Sequence, residues 1–240
     1  MEKIITIDNL RRFAYCNNDI CQGNIKGIVI SYFGLSCDWM FNEDIKEGLF
    51  YGEKGILYLV PYQNPWAWQN KQNVALTDEL IDVLFESYNL PEDLPIVSTG
   101  GSMGGQSALV YMAYAKRTPV SCVVNCPVCD LPYHYTERND LPRTLYSAFY
   151  NYDCSLQDAL ESASPLHLVN KMPEKSEYHI FHCEKDKSVN KQKHSDRFVE
   201  LMEKNHSISY YPVADRGHCD LTDEMKKKFE DLTVSAILDR

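Results

Sequence analysis

Nowhere does the sequence run apolar for the roughly 20 residues a helix needs to cross a bilayer, so no membrane span is expected. Positive charge is also in short supply: 24 Lys and Arg face 34 Asp and Glu, leaving a formal net charge of -10. Nucleic-acid readers concentrate Lys and Arg into a patch or stripe. Here the longest basic run is Lys226-Lys227-Lys228, which reads as the solvated face of a charged helix. Neither nucleic acid nor a membrane surface is an expected partner. The segment Met1 to Asp8 holds only a few apolar residues before charge returns, too short for a signal-peptide core, and a cytoplasmic location is expected. Internal repeats and low-complexity tracts are missing too.

Cysteine is not scarce, but a disulfide framework is a poor reading of it. The nine cysteines are an odd number in a chain of 240 residues with no export signal, which favours free thiols. Cys122, Cys126 and Cys129 come closest to a metal cluster. Yet Cys126-Pro127-Val128-Cys129 has no second pair and no histidine at a ligand spacing, so no metal is expected and the thiols read as buried at the end of a core strand.

What is present is an ordinary soluble balance, 44% hydrophobic and 24% charged, in a length that suits one domain over residues 1–240. Short apolar runs alternate with amphipathic segments, the pattern of a mostly parallel, doubly wound α/β sheet of about eight strands. The runs fall at 27–33, 55–60, 95–99, 120–124, 178–182 and 208–213, and residues 3 to 16 are expected to add an antiparallel edge pair. Leu76, Leu80, Leu84 and Tyr88 recur at four-residue spacing on one helix face, as do Leu221, Met225, Phe229 and Leu232 near the end. Such stripes read as core. One segment breaks the rhythm: 130–172 is longer than a simple crossover, is rich in tyrosine and precedes the strand that leads to Asp186. It reads either as a small cap over the sheet's C-terminal edge or as an insertion whose rings only pack onto the body.

Chemistry concentrates in Gly100-Gly101-Ser102-Met103-Gly104-Gly105, between the strand ending at Thr99 and a helix over 106–116. A Gly-x-Ser-x-Gly turn between strand and helix is a nucleophile elbow, sharp enough to exclude side chains at Gly100 and Gly104 and to lift the serine hydroxyl clear of the sheet. The helix start aims unpaired amides at the site, so Met103 is expected to donate one N–H to a developing oxyanion. A second donor is expected from the loop after the first buried strand, Phe33 to Trp39, with Leu35 as the candidate.

A serine hydroxyl needs a base. Of the seven histidines, His218 in Arg216-Gly217-His218-Cys219 lies in the loop between the last strand and the last helix, from which it can reach the sheet's C-terminal edge. The imidazole in turn needs a carboxylate on its other nitrogen. Asp186 follows the strand ending at His182; Glu184 and Asp215 are its competitors, and Asp186 is preferred because the acid must come from a different loop than the base.

With these residues in place, the sequence resembles the α/β-hydrolase superfamily from Lys26 to its end. The order Ser102, Asp186, His218 carries the likeness, as do Ser164-Pro165-Leu166, His182-Cys183-Glu184-Lys185-Asp186 and Gly217-His218, which are similar to prolyl-oligopeptidase-like enzymes and related esterases. The Ser-Met-Gly-Gly turn resembles feruloyl and acetyl esterases. Membership implies acyl transfer to water through an acyl-enzyme, with no cofactor. Two departures stand out. Phe33-Gly34 replaces the His-Gly or Tyr-Gly of many relatives, and Cys183 stands where a glycine is common. Because 240 residues leave no room for the propeller domain that peptidases of this group usually carry, a carboxylesterase-like enzyme acting on a small or medium ester is expected. A serine peptidase on short peptides is the alternative, with Asp38 or Glu43 to bind a free amine, and a non-catalytic receptor is a third reading. Trp39, Tyr62, Trp66 and Trp68 are expected to border the substrate pocket, or in part to pack the loop.

Overall fold

Five of the six apolar runs become strands buried on both sides, as a sheet covered by helices on both faces requires, while the sixth, 208–213, forms the sheet's edge and is mostly half-buried. The computed structural model describes residues 4–21 and 23–240. Its strands are β1 (Ala14–Cys16), β2 (Gly27–Tyr32), β3 (Ile56–Pro61), β4 (Ile96–Gly101), β5 (Ser121–Asn125), β6 (Glu177–Cys183) and β7 (Ser207–Val213). They form one seven-stranded sheet in the order β1-β3-β2-β4-β5-β6-β7, parallel except for β1, which runs antiparallel to β3. The helices are α1 (Lys46–Gly52), α2 (Lys71–Tyr88), α3 (Met103–Tyr114), α4 (Leu131–Glu137), α5 (Leu141–Phe149), α6 (Leu156–Glu161), α7 (Ser195–Met202) and α8 (Asp223–Leu238).

The sheet has seven strands where about eight were expected, and the difference lies at the edge. In place of an edge pair, the described part of residues 3–16 forms a 3-10 helix, Ile7–Arg12, followed by β1 alone; Lys3 lies outside the described residues. The turn wins locally because Asn9 Oδ1 accepts the Thr6 amide at 2.8 Å, a reciprocal cap that starts the helix.

Two cores follow from the alternation along the strands. Ile28, Ile30, Cys122, Val124 and Ile180 pack with Leu80 and Leu84 of α2 and with α3 and α7. On the opposite face Val29, Val97, Val123 and Phe181 meet α8, with Met225, Phe229 and Leu232 packed alongside. A third cluster belongs to the 130–172 insertion, where Leu131, Leu141, Leu145 and Phe149 close around Trp68 and Met103. Gln106, fully buried on α3, fastens the insertion to the body by donating from Nε2 to the carbonyls of Trp68 at 3.0 Å and Ala163 at 2.7 Å. Among the described residues no helix is long and apolar enough to cross a membrane.

The strand order fixes where chemistry can sit. The chain leaves β2 toward β3 and returns on the other side of β2 as β4, so the loops after β2 and β4 part company at the C-terminal edge. That divergence opens the crevice in which α/β sheets bind ligands.

Candidate active site

Ser102 is the single residue between the end of β4 and the start of α3. Its backbone sits at φ 59, ψ -123, a conformation costly for any residue with a side chain and held here by its surroundings. The Ser102 amide donates to the Asn125 carbonyl at 3.0 Å, while its own carbonyl receives the Gln106 amide at 3.1 Å. Two glycines make the turn possible. A Cβ at Gly100 would strike the backbone of Gly104, and one at Gly104 would strike the Tyr32 carbonyl oxygen and lie 2.8 Å from that of Phe33. The glycines therefore let the start of α3 close onto the end of β2, as the sequence pattern demands.

Ser102 opens into a cleft of about 510 Å³ lined also by Gly34, Leu35, Arg138, Asp140, His218 and Cys219. Here the loops after β2, β4 and β7 meet the insertion. Ser36, Ser102 and Cys219 on this cleft, and Cys126 beside it, all hold positive φ, a concentration of backbone strain typical of functional sites.

His218 Nδ1 lies 2.7 Å from Asp186 Oδ2. The carboxylate is fully buried, and its other oxygen accepts the amides of Ser188 at 2.8 Å and Val189 at 3.0 Å. His182, also fully buried, places Nε2 3.4 Å from Oδ2. Burial alone would raise the pKa of Asp186, but the hydrogen bonds from His182, His218 and the Val189 amide outweigh it and hold the carboxyl well below the usual carboxylate range. Burial would likewise lower His218; the hydrogen bond to Asp186 wins and pushes it up to about 9. The competing acids are elsewhere. Glu184 is exposed, and Asp215 is an exposed partner of Lys185 at 2.7 Å.

Among the described residues neither the Leu35 nor the Met103 amide has a backbone acceptor. Met103 opens α3, where helix amides lack internal partners, and Leu35 lies on the cleft wall in a turn closed by the Cys37 amide on the Gly34 carbonyl at 3.3 Å. The sulfur of Cys219 sits 3.7 Å from His218 Nε2, on the side of the ring that faces the cleft.

None of the four expected pocket aromatics is among the residues lining this cleft. Trp68 is 1% exposed and donates from Nε1 to Thr144 Oγ1 at 3.1 Å, inside the core of the insertion. Trp66 borders a separate hollow with Asn70 and Tyr150, Tyr62 accepts the Phe41 amide through its hydroxyl at 3.0 Å, and Trp39 lies exposed against Phe33. Asp38 and Glu43 are exposed and away from the cleft lining. The charged residues on the wall are Arg138 and Asp140, paired at 3.0 and 2.5 Å, which the sequence does not mark because only the folding of the insertion brings them there. All nine cysteines are free thiols.

No protein-family model matches the chain, and no curated protein matches it. Solved structures do. A puromycin-hydrolyzing peptidase of Mycobacterium tuberculosis superposes with a TM-score of 0.70 at 14% identity, over 90% of this chain and 35% of the peptidase. A thermophilic esterase from Thermogutta terrifontis gives 0.65 at 15% identity, over 94% of this chain and 88% of the esterase, and esterase B from Lactobacillus Rhamnosis gives 0.65 at 11%, over 90% and 77%. The chain thus spans about a third of the peptidase's length and most of each esterase's. Superposition over most of this chain, at identities of 11–15%, shows the architecture: the chain has the α/β-hydrolase fold.

Proposed function

We propose that this protein is a serine hydrolase that cleaves a small or medium carboxylic ester through an acyl-enzyme. The observation that carries the reading is the 2.7 Å contact between His218 and the buried Asp186 on a cleft that also presents Ser102 on its elbow. An ionised carboxylate only accepts hydrogen bonds, so Nδ1 carries the proton and the Nε2 lone pair is free to act as base. His218 removes the Ser102 proton as Oγ attacks the ester carbonyl. The Met103 and Leu35 amides receive the negative charge that develops on the carbonyl oxygen. His218 then returns the proton to the leaving alcohol, and a water activated by the same nitrogen releases the acid. No cofactor enters these steps.

Turnover of short p-nitrophenyl esters by wild type and Ser102→Ala tests the reading. Loss of nearly all turnover in the variant is expected; full turnover in the variant contradicts it.

A second reading, hydrolysis of short peptides, draws on Asp140, a carboxylate on the cleft wall that could meet a substrate amine. Its pairing with Arg138 already satisfies that charge, which favours the ester. Comparing aminoacyl-arylamides with acyl esters separates the two.

A further inference from the structure

His218 has a second set of neighbours that acyl transfer does not use. Cys126, at the end of β5, and Cys219, next to His218 itself, bring their sulfurs together with a ring nitrogen of His218 so that all three atoms lie within 4.8 Å of one another. Cys219 Sγ and His218 Nε2 are 3.7 Å apart. Tetrahedral zinc, with bonds of about 2.3 Å to sulfur and 2.0 Å to nitrogen, spaces such ligands by roughly 3.6 Å. We infer that Cys126, Cys219 and His218 Nε2 form a binding site for a thiophilic divalent cation of the zinc class, overlapping the base of the proposed triad.

Three features beyond proximity point to a metal. Cys126 Sγ accepts backbone amides from Cys183 and Cys219, each at 3.4 Å, two N–H donors aimed at the sulfur that a thiolate would use, although the Cys219 thiol and burial push the free Cys126 thiol up. His218 is oriented by Asp186 through its far nitrogen, the arrangement that fixes the tautomer of a metal-bound imidazole. The cleft reaches His218 and Cys219 and supplies an entry path, with the fourth coordination position left to water.

A second cluster, His134, Glu137 and His194, shows what a saturated group looks like. His194 Nδ1 accepts the amides of Cys129 at 3.0 Å and Asp130 at 3.1 Å, so its Nε2 carries the proton given to Glu137 and has no lone pair for a cation. At His218 the protonated nitrogen faces the carboxylate and the free one faces the thiols.

Binding forms two metal–sulfur bonds and one metal–nitrogen bond. Both S–H bonds break, as does the Nε2–H bond of any His218 ring that is doubly protonated, and these protons go to solvent, so the two charges of the cation are matched by two thiolates and no electron is transferred. The site itself stands apart from the hydrolase reading; its effect on turnover rests on that reading, because the bound cation occupies the lone pair that must accept the Ser102 proton.

The test is a titration of reduced, chelator-stripped protein with Co²⁺, then Zn²⁺, on wild type, Cys126→Ala, Cys219→Ala and Cys154→Ser. One cobalt per chain with a thiolate-to-cobalt charge-transfer band is expected, displaced by zinc, with affinity down about tenfold or more in Cys126→Ala and Cys219→Ala. Cys154→Ser, an exposed thiol far from the cluster in sequence, keeps the band. Absence of the band, or an unchanged band in Cys219→Ala, overturns the site; Cys219 is only half-buried, so that variant decides even where Cys126→Ala fails to fold. In parallel, zinc suppresses p-nitrophenyl butyrate turnover by wild type, a chelator restores it, and Cys219→Ala is about tenfold less sensitive. A wild type that binds cobalt but hydrolyses no ester sinks the hydrolase reading and leaves the metal site intact.

Discussion

The Nδ1 of His218 and the Oδ2 of Asp186 are 2.7 Å apart although 32 residues separate them in the chain. The loop after β6 and the loop after β7 are neighbours because their strands pair in register from Glu177 with Ser207 to Cys183 with Val213. Asp186 then turns inward under the amides of Ser188 and Val189 rather than outward to solvent. The carboxylate fixes the ring, and the ring offers Nε2 to the cleft.

Replacing Asp186 by Asn keeps the shape and offers Nδ1 an amide in place of a carboxylate, so the wrong tautomer becomes available. On the proposed mechanism kcat for ester hydrolysis falls by about 10,000-fold. Steady-state kinetics on p-nitrophenyl butyrate, with circular dichroism to confirm the fold, checks it.

The pH dependence has a defined sign. His218 must be unprotonated to act, and Asp186 pushes it up to about 9 from an ordinary 6.5. The rising limb of kcat/KM is therefore expected above pH 6.5 and extending toward about 9, and Asp186→Asn should move it down. The same shift stabilises the fold fully below the unfolded value of 6.5, and that contribution fades as pH rises through about 9. A pH–rate profile of both proteins measures the limb directly.

Glu137 ties the insertion to the body. It accepts from His134 Nδ1 at 2.6 Å, His194 Nε2 at 3.0 Å and the Asn190 amide at 2.8 Å. Burial would raise it, but the two histidine donors prevail and hold it down to about 2 from an ordinary 4.5. Glu137→Ala should cost about 3 kcal/mol at neutral pH, read from urea unfolding. Because the folded value is depressed, the stabilisation is present above 4.5 and lost as pH falls toward about 2, so the gap between wild type and variant narrows in acid.

Gly104→Ala drives a methyl group into the Tyr32 carbonyl oxygen and to 2.8 Å from the Phe33 oxygen. Backbone cannot yield as a flexible side chain would, so a loss of about 1–3 kcal/mol is expected. Turnover should fall further than stability, since the clash pushes the Met103 amide away from the Leu35 loop. Thermal melts and kcat on the same samples separate the two effects.

How much of the fold and of the site is legible in the sequence depends on how local each signal is. The six long strands announced themselves as apolar runs, and Ser102 by glycines whose contacts are with residues close in the chain or at the end of β2. Asp186 was harder, because Glu184 and Asp215 sit at similar positions and only the turn after β6 decides which carboxylate points inward. The edge departs from the expected strand pair at Ile7–Arg12, where a cap at Thr6 and Asn9 overrides apolar content. Trp68 looked like a pocket wall from its place after β3, yet the insertion folds over it and buries it. Arg138, Asp140 and the approach of Cys126 to Cys219, 93 residues on, depend on sheet order and on the path of the insertion, which no short window encodes.

The most direct test of the central claim is to treat the protein with a fluorophosphonate and locate the adduct by peptide mass mapping. A single adduct on Ser102, abolished in His218→Ala, is the expected result. No adduct, or one that forms on Ser102 equally well without His218, would contradict the proposed triad.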